Sequence, residues 1–293
     1  MALAKWVERR WLEQSWLQDR PLHVDAFVAL NFGFLILDIW LAHSANQFRD
    51  HAEYIPLWFS VFAPVVLAVA LASRVKWRRL QVWNDLGHLV GWVSVLVGFA
   101  GVIFHLHSQF FFEKTLKSLT YAAPFAAPLA YAGLGLLLVM NRMVSSDSVE
   151  WAQWLVALTI GGFFGNFVLS LTDHAVNGFY RPAEWIPVAS AAFAVGFLAV
   201  PFVVPVTRRY LWLCALVMAL QIVVGIAGFA FHALANLHGT SASMFENVID
   251  GAPPMAPLLF PNLSLLGWYA LWSYSRFLPE DGYSLLPAGM KSK

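Results

Sequence analysis

Apolar residues fill this chain in long runs of similar length, separated by short polar stretches. Eight runs stand out, at about 26–43, 54–73, 86–105, 119–141, 151–172, 185–204, 210–233 and 255–276. The hydrocarbon layer of a bilayer is about 30 Å thick and takes roughly 20 helical residues to cross. In lipid, segments of this length satisfy their own backbone groups only as helices. The pattern predicts an all-α integral membrane protein with eight transmembrane helices.

Composition points the same way. The 293 residues are 59% hydrophobic and 12% charged, against roughly a quarter charged in a soluble domain. The first twenty residues do not read as a cleavable signal, because Glu8, Arg9, Arg10 and Glu13 interrupt any apolar core. Trp6, Trp11, Leu12, Trp16 and Leu17 are instead spaced as an amphipathic helix lying on the bilayer surface.

The polar positions within the pattern recur. His43, Asn46, Phe48, Ala52, Glu53, Ile55 and Pro56 return as His174, Asn177, Phe179, Ala183, Glu184, Ile186 and Pro187, all at an offset of 131. Between His43 and Val69, twelve of twenty-seven positions match at that offset, where composition alone predicts about two or three. Gly98, Ala100, Gly101 and His105 return as Gly225, Ala227, Gly228 and His232. Ala123-Pro124 and Ala127-Pro128 return as Ala252-Pro253 and Ala256-Pro257.

These matches predict two tandem four-helix repeats. Four spans per repeat is an even number, so the repeats enter the membrane in one direction, related by a pseudo-twofold axis along the membrane normal. The expected organisation is an amphipathic segment at 1–25, a first repeat at 26–141, a connector at 142–150, a second repeat at 151–276 and a tail at 277–293.

Charge sets the orientation. One set of ends and loops holds fourteen Lys and Arg residues and the other holds four. By the positive-inside rule, both termini, the connector and the tail are cytoplasmic, as in a multi-pass protein of the inner membrane. No basic stripe points to nucleic acid. Cys214 is the only cysteine, which excludes an internal disulfide, a Cys-ligated iron–sulfur cluster and covalent haem attachment.

His43, Glu53, His105, His174, Glu184 and His232 all fall at the non-cytoplasmic ends of their spans, and three chemistries compete for them. Neutral imidazole with carboxylate suits a metal ion, copper or iron foremost, with Asn46 and Asn177 as hydrogen-bonding partners that orient the ligands. Four His and two Glu could also merge into one dinuclear centre. A haem b clamped between His43 and His105, or His174 and His232, would leave the Glu and Asn without a role.

Such a metalloprotein would support redox or oxygen-dependent chemistry on an apolar substrate or quinone, or handle metal for a membrane protein partner. The second chemistry is a proton-coupled transporter or permease relaying protons through the same residues. The third is a non-catalytic membrane subunit or assembly factor, in which these side chains only cap helices and face headgroups.

Glu113, Glu246, His107, His238 and Asp173 share the same side of the membrane and form a second tier. The repeated glycines are small-residue faces that let helices approach closely. Pro56, Pro124, Pro128, Pro187, Pro253 and Pro257 read as helix-start signals.

Overall fold

The computed structural model describes residues 18–278, so the expected surface helix before residue 18 and the tail from residue 279 lie outside the described residues. The described residues contain helices and no strand. Six helices are long and apolar enough to cross a membrane. They are α1 (Arg20–Ser44), α2 (Tyr54–Val75), α3 (Leu80–His107), α7 (Val149–Val176), α8 (Trp185–Val203) and α9 (Arg208–Leu237). Two shorter apolar helices, α6 (Leu129–Met143) and α11 (Leu259–Ser275), occupy the fourth and eighth runs. The short helices α4 (Phe110–Glu113) and α5 (Leu116–Thr120) lie between α3 and α6, and α10 (Met244–Ile249) lies between α9 and α11.

The helices begin where local chemistry allows. Asp19, Ser148 and Thr207 cap α1, α7 and α9, each accepting a backbone N–H of the first turn. Pro56 and Pro187 sit in the first turn of α2 and α8, where a missing N–H costs nothing. The fourth run differs from the sequence expectation. Residues 121–128 are turns and α6 starts only at Leu129, because Pro124 and Pro128 lack N–H groups and disfavour helical backbone in the residue before them. The eighth run is shortened in the same way by a 3₁₀ turn at Ala256–Leu258 that contains Pro257.

Packing follows one order in each half. α1 packs on α2, α2 on α3, α3 on α6 and α6 back on α1; likewise α7 on α8, α8 on α9, α9 on α11 and α11 on α7. A single apolar core joins the two sets, running through Phe32, Leu138, Trp151, Leu155 and Met218. Polar bonds cross the junction as well. Trp151 Nε1 donates to Asn141 Oδ1 at 3.2 Å, and Asn262 Nδ2 donates to Asn31 Oδ1 at 2.6 Å.

Four arginines make their bonds at one end of the bundle. Arg20 reaches the carbonyl of Ser146, Arg74 pairs with Asp19, Arg208 reaches the carbonyl of Leu278, and Arg142 pairs with Asp25. Arg142 therefore belongs to the last turn of α6 and to the protein interior, not to the connector in which its charge placed it.

Candidate functional site

At the opposite end, local chain geometry brings His and Glu together twice. α1 ends just beyond His43, whose carbonyl accepts the N–H of Phe48 at 3.0 Å; α7 ends just beyond His174, whose carbonyl accepts from Phe179 at 3.0 Å. This helix stop requires left-handed backbone. Gln47 (φ 62°) and Phe48 (φ 49°) supply it in one half, Gly178 (φ 65°) and Phe179 (φ 52°) in the other. Phe48 then stacks on Tyr54 at 4.7 Å and Phe179 on Trp185 at 3.8 Å, turning the chain back across the helix end. The 3₁₀ turns His51–Glu53 and Pro182–Glu184 follow and place each Glu at the mouth of the next helix.

The result is a carboxylate facing an imidazole. Glu53 Oε2 lies 3.3 Å from His43 Nδ1, and Glu184 Oε2 lies 3.8 Å from His174 Nδ1. The four side chains are 15% to 20% exposed, so the mouth is narrow but open to the outside. Both Oε2 atoms are buried and, among the described residues, have no well-formed hydrogen bond, the facing imidazole being the nearest polar group. The other oxygen of Glu53 accepts from Asn46 Nδ2 at 2.8 Å, the orienting contact expected of Asn46. Its counterpart Asn177 is exposed and makes no such bond to Glu184 among the described residues.

The third member of each set comes from the glycine-lined helices. A side chain at Gly98 would meet the Ala132 nitrogen and Pro128 oxygen, and one at Gly225 the Pro257 oxygen, within 3.0 Å; Gly101 and Gly228 press on the same prolines. Only glycine allows α3 and α9 to lie this close to the chain entering α6 and α11. One or two turns onward, that close approach sets His105 Nδ1 2.9 Å from the Pro124 carbonyl and His232 Nδ1 2.7 Å from the Pro253 carbonyl.

A carbonyl only accepts, so in each case Nδ1 carries the proton. In the neutral ring Nε2 then holds a free lone pair, the tautomer that carbonyl-anchored metal ligands use. The His43 and His105 rings stand 6.2 Å apart, and the His174 and His232 rings 6.5 Å.

The six foremost residues thus come together as two sets of three, and among the described residues no contact links one set to the other. Nor do three His, Cys, Asp or Glu side chains close around a common point as a finished metal cage among the described residues. Two donors bound at about 2.1 Å to one tetrahedral ion stand about 3.4 Å apart. The His43–Glu53 separation matches that spacing, and the histidine on the neighbouring helix is the donor that would have to move inward.

The second-tier residues stand apart from both sets. Glu113 is exposed at the end of α4, Glu246 accepts from the Ser241 hydroxyl, His107 packs edge-on against Phe111 and Phe112, and His238 Nδ1 bonds the Leu234 carbonyl of its own helix. Asp173 lines a crevice between the halves. The partners that hold His105 and His232 are backbone carbonyls, which residue types do not reveal; the repeated Ala-Pro dipeptides were the only trace of them in the sequence. The buried Asp25–Arg142 pair also escaped sequence reasoning, because each residue borders an apolar run and looks like a loop charge.

No family model matches the chain, and neither the curated proteins nor the solved structures include a match to it.

Proposed function

We propose that the chain is a duplicated, eight-span metalloprotein of the inner membrane, with both termini cytoplasmic. Each half holds one copper or iron ion at the non-cytoplasmic face, through His43, Glu53 and His105 and through His174, Glu184 and His232. The observation that carries this is a carboxylate oxygen buried at the same station in both halves, facing an imidazole nitrogen at 3.3 Å and 3.8 Å without a well-formed hydrogen bond. Buried acceptors are seldom left without a donor, and an ion is one of the few things that satisfies one.

Two features support the assignment. His105 and His232 are each held by a carbonyl in the ligand tautomer, and Asn46 steadies Glu53. A small ion uses the carboxylates, whereas haem b gives them nothing to do. The ion would act as a redox centre for an apolar reductant such as a quinol, or as cargo passed to a membrane partner.

The test is elemental analysis with a visible absorption spectrum on detergent-purified protein. About two equivalents of copper or iron are expected, without a haem Soret band. Metal-free protein that carries protons in liposomes would instead identify a carrier, and the assignment would be abandoned.

A further inference from the structure

Where the halves meet at the histidine end, a crevice of about 320 Å³ is lined by residues of both. Its walls are mostly apolar, with Leu119, Phe125 and Val176 among them. Its polar side chains are Thr120, Thr172 and Asp173, and among the described residues no Lys or Arg lines it.

All three of these side chains are left facing the crevice as acceptors. The Thr120 hydroxyl donates to the Leu116 carbonyl at 3.0 Å, and the Thr172 hydroxyl to the Val168 carbonyl at 3.0 Å. Their protons are spent within their own helices and only lone pairs remain. The half-buried carboxyl of Asp173 makes neither a hydrogen bond nor an ion pair among the described residues. A half-buried carboxylate without donor or counter-charge is costly. Pro124 and Pro253 also line the crevice, with their carbonyls already turned to His105 and His232.

We propose that this crevice binds a primary ammonium group carried on an apolar stem. A primary ammonium has three N–H donors and no acceptor. It therefore complements one carboxylate and two hydroxyl oxygens and supplies the missing positive charge. The stem lies along the apolar lining, Leu119, Phe125 and Val176. A metal ion suits the site poorly, since one carboxyl and two hydroxyls are a weak donor set. An uncharged alcohol offers one donor for three acceptors. The group could arrive on an aminophospholipid headgroup or on a free long-chain amine. The crevice adjoins both His–Glu–His sets, through the Pro124 and Pro253 residues and through Asp173 beside His174, but none of its three acceptors belongs to either set.

The experiment titrates decylamine, with decanol as the uncharged control, into full-length protein in phosphatidylcholine nanodiscs, read by calorimetry. Saturable binding of decylamine at least tenfold tighter than decanol is expected. Asp173→Asn should weaken it about tenfold or more, the effect of losing a charge-assisted hydrogen bond. Thr172→Val should weaken it less, and the thermal melt of each variant checks that it is folded. Phosphatidylethanolamine added to the nanodisc distinguishes the sources: competition with decylamine identifies the lipid headgroup, and its absence a free amine. Decylamine binding no tighter than decanol, or folded Asp173→Asn binding as wild type, would overturn the proposal.

Discussion

The guanidinium of Arg142 closes on the carboxylate of Asp25 through two parallel bonds, Nη2 to Oδ2 at 2.8 Å and Nη1 to Oδ1 at 2.9 Å, with both side chains fully buried. Trp83 Nε1 donates to the same carboxylate at 2.7 Å and Asn141 Nδ2 at 3.0 Å, while the guanidinium lies 4.4 Å from the Trp83 ring centre. The pair ties α1, α3 and α6 together at the arginine end. At the recurrence offsets, Asp25, Asn141 and Arg142 align with Val156, Ala270 and Leu271, which are buried and apolar.

That alignment yields a stability prediction. Breaking a buried pair by removing one partner strands the other charge and costs about 3–5 kcal/mol, whereas replacing both with packed apolar residues is often neutral. Arg142→Leu or Asp25→Val alone should lower the melting temperature in detergent sharply. The double variant, which copies the second half, should recover most of the loss. Single variants melting like wild type would mean that the pair contributes nothing.

Gly87 tests the same network from the side. A Cβ there would fall on the Arg142 guanidinium, so Gly87→Ala must push the arginine off its carboxylate. Its cost should approach that of Arg142→Leu, far above the about 1 kcal/mol gain that Gly→Ala gives in an open helix. Adding Gly87→Ala to the Asp25→Val, Arg142→Leu background should cost little.

Metal stoichiometry should follow the halves separately. His105→Ala is expected to remove one of two equivalents and His232→Ala the other. Asn46→Ala should weaken only the first site, by about 10- to 100-fold as for other residues that orient ligands. Asn177→Ala should leave the second site unchanged, since Asn177 does not bond Glu184. Metal titrations of the four variants decide this. Chelation should lower the melting temperature of wild type and leave a variant lacking both sites unaffected.

The helix stops make opposite predictions at equivalent positions. Gln47 holds left-handed backbone where the other half has Gly178. A non-glycine residue pays roughly 1–2 kcal/mol in that conformation. Gln47→Gly should stabilise by up to about 1 kcal/mol and Gly178→Ala should destabilise by about as much, read as shifts in thermal unfolding.

Much of this molecule could be read along the chain. The lengths of the apolar runs determined the six long helices, because bilayer thickness acts on each segment alone. Recurrence singled out the residues that meet at the histidine end, His43, Glu53, His174 and Glu184 at an offset of 131 and His105 and His232 at 127, since polar residues repeated in an apolar chain stand out even where the intervening length changes. The prolines at 124 and 128 also carried their message locally, although their effect on α6, a start delayed to Leu129, is clear only with the backbone in view.

Tertiary structure decided what depends on partners distant in sequence. It divided the six residues into two sets of three, because the helix ends that carry each set pack on neighbours of the same half. It gave His105 and His232 their tautomer through carbonyls 19 and 21 residues away. It also turned Asp25 and Arg142, 117 positions apart, from two loop charges into one buried pair. Burial and pairing are properties of a packed surface, and no stretch of sequence contains both sides of one.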